Sequence, residues 1–317
     1  METCYKINNL IKNETGAFGF RNSYCLPFLS LLSDYLDSRD LLVHYENMLE
    51  MTSQDIIDKY TLSDQDLKLI YSKYLAEGIA RGVTEMNVLA ISPLILKTLF
   101  EEYKITGKIL VRAKDIEIIP KIYKGFDKSI GLAIAVDPYI DGDELTNEVS
   151  EIAGKYKLPV FVTLYDNLEK TGMLNSLFNK PPINYIEDIG LLDRECCIFG
   201  GVCADKDDLS VMSGYNAKMI ISPYDFLNLG YGFVNAYAME NNGVEIQLAS
   251  AINNNMAEEI KLLSALNRGF LNDSEILPID EILELVISKR TRIRLNTNIE
   301  EINDECDKII QRIKEKI

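Results

Sequence analysis

Two aspartates stand just after apolar runs that the sequence predicts as buried strands. Asp137 follows GLAIAV at 131–136, and Asp166 follows PVFVTL at 159–164 after one intervening tyrosine. Polar groups just past the carboxyl ends of strands are where α/β proteins usually carry out chemistry. Two carboxylates at one such edge can divide the roles of general acid and general base if their surroundings separate their pKa values. Loop-capping or solvated carboxylates are the alternative interpretation, and the sequence gives no distance between the two.

Other reactive side chains give weaker signals. His44, in LLVHYENMLE, is the single histidine of the chain and lies on a predicted helix outside any motif, which favours a structural or surface role. Cys196, Cys197 and Cys203 lack the usual zinc spacing, and adjacent strand residues face opposite ways. Cys203 falls where a pocket is expected, but no basic partner that would activate its thiol is in view.

The charge of the chain argues against two classes of partner. The formal net charge is −16 and the isoelectric point is about 4.6. Nucleic acids and anionic membranes are bound by clustered Lys and Arg, so neither is expected as a partner. The one locally basic stretch, KRTRIR at 289–294, is better explained as a solvated helix end or an ion-pair partner than as a phosphate site.

Targeting signals and cysteine usage predict the compartment. No stretch approaches the roughly 18 apolar residues of a membrane span, and METCYKINNLIKN lacks the core of a signal peptide. Six cysteines are widely spread along the chain, which is typical of free thiols in a reducing compartment. We therefore expect a cytoplasmic protein.

Helices and strands alternate along most of the chain. Helical apolar spacing at 63–80, 92–103 and in DELTNEVSEIAGKY is followed each time by a short apolar strand, and CCIFGG, AKMIIS and GVEIQL supply further strands. Short turns between alternating elements indicate parallel strands joined by crossover helices. The pattern predicts an α/β fold of the (β/α)8 TIM-barrel type in one large domain.

The order of segments resembles the amidohydrolase superfamily, and within it the metal-dependent aminohydrolases that include guanine deaminase, chlorohydrolases and adenosylhomocysteine deaminases. KLPVFVTLYDNLEKTG is similar to the "LPIHIHLAE" strand of that group, and ECCIFGGVCADKDDL to "AHCVHLSDEEL". Near the start, GFRNSYCLP is similar to "GFVNAHTHLP". The resemblance covers about residues 17–272.

The resemblance implies a barrel from which the metal ligands have been lost. The family holds zinc or iron with histidines and an aspartate, and the metal activates a water molecule. Here the ligand positions fall on the stretch Ser23-Tyr24-Cys25 and on Phe161, Thr163, Gly200 and Ala251, a substrate-contacting His falls on Cys203, and the Glu beside the metal water falls on Asp166. At most one of the ligand positions carries a plausible donor. We therefore expect no metal and no other cofactor.

The resemblance also sets the expected domain boundaries. A short N-terminal segment spans 1–16, the barrel spans 17–290, and a C-terminal amphipathic helix spans 291–317, with the β-sandwich of the family largely missing. A stripe of Ile299, Ile302, Cys306, Ile309, Ile313 and Ile317 marks that helix. It is expected either to pack on its own barrel or to form a dimeric coiled coil.

Three functions are compatible with these patterns. The leading hypothesis is a catalytically degenerate homologue that acts as a binding or regulatory subunit, with a small molecule at the barrel mouth and a second copy or a related protein as partner. The alternative is a metal-independent hydrolase of C–N bonds that reuses the barrel mouth, and the third is a structural role in an assembly. No residue is assigned as catalytic. The candidate pocket residues are Tyr24, Asp137, Tyr139, Thr163, Asp166, Cys203, Tyr224 and Asp225.

Overall fold

A computed structural model describes residues 19–33, 35–288 and 299–316. Three sequence-based expectations concern residues outside these ranges: the N-terminal segment at 1–16, the basic stretch at 289–294, and the boundary between residues 290 and 291.

The described residues form nine strands. They are Gly19–Cys25 (β1), Val83–Leu89 (β2), Thr106–Arg112 (β3), Ile130–Val136 (β4), Val160–Leu164 (β5), Cys196–Gly200 (β6), Lys218–Ile221 (β7), Glu245–Leu248 (β8) and Ile287–Ser288 (β9). One sheet contains them in the order β8-β7-β6-β5-β4-β3-β2-β1-β9. Neighbours from β1 to β8 are parallel, whereas β9 runs antiparallel to β1.

Helices connect the strands on the outside of the sheet. They are Pro27–Ser33 (α1), Ser38–Leu49 (α2), Ser53–Tyr60 (α3), Asp64–Ala80 (α4), Pro93–Tyr103 (α5), Ile119–Ile122 (α6), Pro138–Tyr156 (α7), Leu168–Phe178 (α8), Pro182–Asp188 (α9), Lys206–Gly214 (α10), Pro223–Asn228 (α11), Ala236–Asn241 (α12), Met256–Leu271 (α13), Ile279–Val286 (α14) and Ile299–Lys314 (α15). Within the described part of the chain, none of these helices has the length and apolar character needed to cross a membrane.

The sheet curls so that the end of β8 reaches β1. The side-chain amide of Asn22 donates to the carbonyl of Ser250 at 3.0 Å, and the backbone N–H of Ser250 donates back to the Asn22 side-chain oxygen at 3.0 Å. The N–H of Leu26 donates to the carbonyl of Ala251 at 2.9 Å. The α/β class is thus confirmed, with a curled and mostly parallel sheet like that of a TIM barrel.

Three helices between β1 and β2 cover the carboxyl ends of the strands. Arg112, at the end of β3, donates from its guanidinium to the carbonyl of Met48 in α2. The carboxylate of Asp115 accepts from the N–H of Ser53 at 3.0 Å and from its hydroxyl at 2.5 Å. Because these contacts join α2 and α3 to the loop after β3, α1 to α3 form a cover over the barrel mouth.

The C-terminal helix α15 packs against α4 of the same chain. Cys306, Ile309, Ile310 and Ile313 are at most 2% exposed. The guanidinium of Arg312 lies 2.5 Å from the carboxylate of Asp66 at the start of α4. Between Ile302 and Ile313 the apolar stripe is therefore buried in an intramolecular contact.

Replacing Ile309 with Asp should place an unpaired charge in this contact. We expect the free energy of unfolding to fall by at least about 3 kcal/mol, because the substitution removes buried apolar surface and buries a charge. Urea denaturation measures the loss. Gln311→Asp is the matched control, since Gln311 is exposed on the same helix. Equal losses in the two variants would show that the stripe is not a packing contact.

Candidate functional site

Aromatic rings fill the barrel axis where the family pattern places metal ligands. The ring of Tyr24 stacks on that of Phe199, with centroids 4.5 Å apart, and on that of Phe161 at 6.3 Å. All three side chains are buried. Burial raises the pKa of the Tyr24 hydroxyl above its ordinary value, so this hydroxyl stays protonated and is a poor metal ligand.

At Gly200, another position that the family pattern assigns to a metal ligand, the backbones of β5 and β6 approach closely. Gly200 has a φ of +138°, and a Cβ atom added to it would lie 2.0 Å from the carbonyl oxygen of Leu164. The two residues are register partners across β5 and β6. A side chain at position 200 would therefore collide with the neighbouring strand, and a histidine could not be restored there without moving the backbone.

The position that the resemblance assigns to the family's last metal ligand lies in a loop held by Asp225. Ala251 occupies that position, and its N–H donates to the Asp225 carboxylate at 2.7 Å. The same carboxylate accepts from the N–H of Ile252 at 3.1 Å and from the hydroxyl of Ser222 at 2.6 Å. Asp225 thus fixes the turn after β8, which is a structural task.

The residues present do not fit a zinc or iron site. Within the described ranges, no group of three or more His, Cys, Asp or Glu side chains is arranged to hold a metal ion. Such a site needs about three or four protein donors at close to 2 Å. Thr163 is buried, and Phe161, Gly200 and Ala251 offer no side-chain donor.

A cluster of charges lies at the barrel mouth instead, and all of its members except Glu46 are buried. The ammonium of Lys170 is 3.4 Å from the carboxylate of Asp166 and 3.7 Å from that of Glu46 in α2. Asp137, just before α7, accepts the N–H of Tyr139 at 3.0 Å through one carboxylate oxygen. Asp137 and Asp166 are 6% and 3% exposed, so their charges are shielded from water.

The turn after β5 positions Asp166. Tyr165 adopts a φ of +61°, which is uncommon for a bulky residue. Its hydroxyl donates to the carboxylate of Asp208 at 2.6 Å and accepts the N–H of Ile183 at 3.0 Å. These two hydrogen bonds hold the left-handed turn, and the residue that follows it is Asp166.

Burial and electrostatic interactions set the pKa values of the two aspartates. Burial raises the pKa of Asp137 to about 7, with the charge of Asp166 adding to the effect and that of Lys170 opposing it. Burial also raises the pKa of Asp166, although Lys170 opposes this. For Lys170, burial alone would lower the pKa, but Asp166, Asp137 and Glu46 together raise it above its ordinary value. Lys170 is therefore an ammonium, and Asp137 can exchange a proton near neutral pH.

Three buried polar atoms around this cluster have no hydrogen-bond partner within the described ranges. They are the second carboxylate oxygen of Asp137 and the hydroxyl groups of Tyr45 and Tyr231. Burial is the largest cause of the raised pKa of each tyrosine, and the charges of Asp137 and Asp166 raise it further. The two aspartates therefore lie near both tyrosines. Because unpaired buried polar atoms are costly, these atoms are suited to contact a ligand or a water molecule.

The mouth itself is nearly closed. A cavity of about 20 Å³ lies among Tyr24, Arg112, Asp137 and Thr163, which is room for about one water molecule. A much larger concavity, of about 940 Å³, lies at the opposite end of the strands and is lined by residues such as Lys108 and Tyr156. In barrels of this type chemistry occurs at the carboxyl ends of the strands, so we place the candidate site at the mouth.

The structure brings some of the predicted pocket residues together. Tyr139 and Asp166 contact Lys170, while Tyr24, Asp137 and Thr163 line the small cavity.

The remaining predicted residues have other surroundings. Burial raises the pKa of the half-buried Cys203, and the charge of Asp166 adds to this, so the thiol is not activated. Tyr224 and Asp225 belong to the loop network after β7 and β8, where the N–H of Tyr224 donates to Glu259 at 2.9 Å.

Sequence reasoning missed four members of the cluster: Glu46, Lys170, Tyr45 and Tyr231. Lys170 had a detectable signal, because it stands four residues after Asp166 at a strand-to-helix turn, where the two side chains can meet. The other three lie on distant segments and carried no local motif.

Comparison with known proteins supports the barrel and the resemblance given above. No family model matches the chain. It is 26% identical to a 5-methylthioadenosine/S-adenosylhomocysteine deaminase of Bacillus cytotoxicus over 172 residues, 53% of this chain and 40% of that protein. It is 27% identical to the protein of the same name from Bacillus cereus G9842 over 181 residues, 54% of this chain and 42% of that protein. The matched segment therefore spans less than half the length of these curated relatives.

Solved structures match over almost the whole chain. A zinc-bound adenosine deaminase from Xanthomonas campestris superposes with a TM-score of 0.82 at 12% identity, covering 94% of this chain and 86% of that one. A guanine deaminase from C. acetobutylicum gives 0.74 at 16% identity, covering 94% and 81%. A triazine hydrolase variant gives 0.79 at 11% identity, covering 93% and 87%. At these identities the likeness establishes the fold, and its neighbours are deaminases and hydrolases.

Substituting Gly200 with Ala should strongly destabilise the protein. A Cβ at this position meets the backbone of Leu164 and adopts a φ that favours glycine, so we expect a loss of about 3 kcal/mol or more. Gly172→Ala is the control, because Gly172 is exposed in α8 with nothing within 4 Å of the added atom. Thermal denaturation of both variants distinguishes the effects. A wild-type melting temperature for Gly200→Ala would show that the strands are not closed at this point.

Asp137→Asn should change how stability depends on pH. The ordinary pKa of this carboxyl is 3.8 and the folded value is about 7, so the folded state binds the proton more tightly. The destabilisation caused by Asp137 is therefore absent below about pH 4, grows as the pH rises, and is complete above about pH 7. Relative to the wild type, the variant should gain on the order of 2 to 4 kcal/mol across this window.

Urea denaturation at several pH values measures this gain. Asp64→Asn, which removes an exposed carboxylate in the first turn of α4, is the control for the loss of one charge. A difference between Asp137→Asn and wild type that stays constant with pH would contradict the burial of Asp137 beside Asp166.

Proposed function

We propose that this chain is a catalytically degenerate, amidohydrolase-like barrel that acts as a binding or regulatory subunit. The observation that carries the proposal is the packing of Tyr24, Phe161 and Phe199 in the barrel axis, where the family pattern requires metal ligands. The closed backbone at Gly200 supports it independently. Both features remove the site that activates water in the family while the fold is kept.

The barrel mouth retains the means to hold a small molecule. Asp137, Tyr45 and Tyr231 each present a buried polar atom without a partner in the described part of the chain. The segment α1 to α3 covers these atoms, and polar contacts at Arg112 and Asp115 hold it in place. Because the closed mouth has room for about one water molecule, a ligand that hydrogen-bonds to the three atoms would have to displace this cover, and a second copy or a related subunit would sense that displacement.

The thiols support a reducing compartment for this role. The five cysteines among the described residues are all free, and four of them are buried. We propose a cytoplasmic location on this ground.

A metal-independent hydrolase of C–N bonds is the second candidate function. The observation that favours it is the pKa of Asp137, which burial and Asp166 raise to about 7. A carboxyl group with such a pKa can donate or accept a proton at neutral pH. Release of ammonia by the wild type but not by Asp137→Asn, without added metal, would favour this candidate over the binding subunit.

Metal content and turnover test the leading proposal. We expect purified protein to contain no stoichiometric transition metal by elemental analysis and to melt at the same temperature with and without a chelator. It should not deaminate adenosine or guanine, nor 5-methylthioadenosine under conditions in which the 5-methylthioadenosine/S-adenosylhomocysteine deaminase of Bacillus cytotoxicus does. A nucleoside or related small molecule that raises the melting temperature without being converted would support a binding role.

About one zinc per chain, with deamination lost on chelation, would falsify this proposal. That result would require a donor set that the described side chains do not show.

A further inference from the structure

Lys170 is buried to a degree that is unusual for lysine. Its side chain is 7% exposed, although it lies in the first turn of α8 near the protein surface. Lysine side chains are almost never fully buried unless their charge is paired. The surroundings of this ammonium must therefore compensate for its lost hydration.

Side chains from four separate segments surround the ammonium. The carboxylates of Asp166 and Glu46 lie 3.4 and 3.7 Å away. The rings of Tyr139 and Tyr231 have their centroids 5.7 and 5.6 Å away, which is within the range of cation–π attraction. These four side chains and Asp137 are called the ammonium cage below.

The ammonium cage offers a cation more polar contacts than Lys170 makes. Neither carboxylate is at the 2.7 to 2.9 Å of a close charge-assisted hydrogen bond, so each of the two contacts is loose. The second oxygen of Asp137 and the hydroxyl of Tyr231 have no partner among the described residues. Two carboxylates and two rings face one ammonium, and the charge of the nearby Asp137 adds to theirs, so this arrangement disfavours anions.

We propose that the barrel mouth contains a binding site for a primary ammonium group and that Lys170 is its tethered occupant. The ammonium links α8 to the cover through Glu46, and it neutralises the carboxylates that would otherwise repel each other. A free alkylammonium ion has the same head group and fits the same cage once the lysine side chain is removed. This proposal does not depend on the binding function proposed above, because it concerns the chain's own cation.

Chemical rescue tests the cage. Lys170→Ala should melt at a lower temperature than the wild type, and n-butylammonium chloride should restore much of the loss. Uncharged n-butanol at the same concentration should not, because it fills the space without supplying the charge. Lys73→Ala is the matched control, since Lys73 is also largely buried, with 14% exposure, and pairs with a carboxylate four residues away. We expect no selective rescue of that variant by the ammonium salt.

Two outcomes would overturn the proposal: equal effects of the salt and the alcohol on Lys170→Ala, or equal rescue of Lys73→Ala. If Lys170→Ala folds only when n-butylammonium is present, the proposal is supported. If it does not fold at all, Lys170→Met decides, because methionine keeps most of the volume and removes the charge. Lys170→Met should melt below the wild type and gain nothing from the salt, and a wild-type melting temperature would contradict a cation site.

Discussion

The packing of aromatic rings along the barrel axis is the constraint on which the rest of the site depends. Tyr24 from β1 stacks between Phe161 of β5 and Phe199 of β6, and Phe199 in turn contacts Phe226 at 5.2 Å. Strands on opposite sides of the sheet are thereby joined through side chains of large buried area. These rings fill the axis beside Thr163, and the charged side chains of Asp137, Asp166 and Lys170 lie just past the carboxyl ends of the strands.

That constraint explains where the charges lie. Because the axis is filled, Asp137 and Asp166 at the strand ends face the cover of α1 to α3 instead of an open pocket. Burying carboxylates costs free energy unless other groups compensate for lost hydration. Here the compensation comes from the ammonium of Lys170, the N–H of Tyr139 and the rings around them. The cluster is thus costly to maintain, and an arrangement that costs stability points to a function at the mouth.

Backbone contacts join neighbouring elements at the same strand ends. Gly200 lets β6 approach the carbonyl of Leu164, and Asp225 holds the turn at Ala251 by accepting backbone N–H groups. The fold matches that of a zinc-bound adenosine deaminase with a TM-score of 0.82. Within the residues described, no group of His, Cys, Asp or Glu side chains is arranged to hold a metal ion.

The sequence by itself determined the fold class and the small number of imidazole donors that the chain can supply. Alternating apolar periods specify β/α units, and a chain with one histidine cannot supply several imidazole ligands. It also placed Asp137 and Asp166 at strand ends, because strand boundaries are local features. Only the tertiary structure decided that Asp225 holds a loop and that Glu46 and Tyr231 meet at Lys170. These residues lie on segments far apart in the chain, and their convergence depends on the curl of the sheet and the docking of α2, which no local pattern encodes.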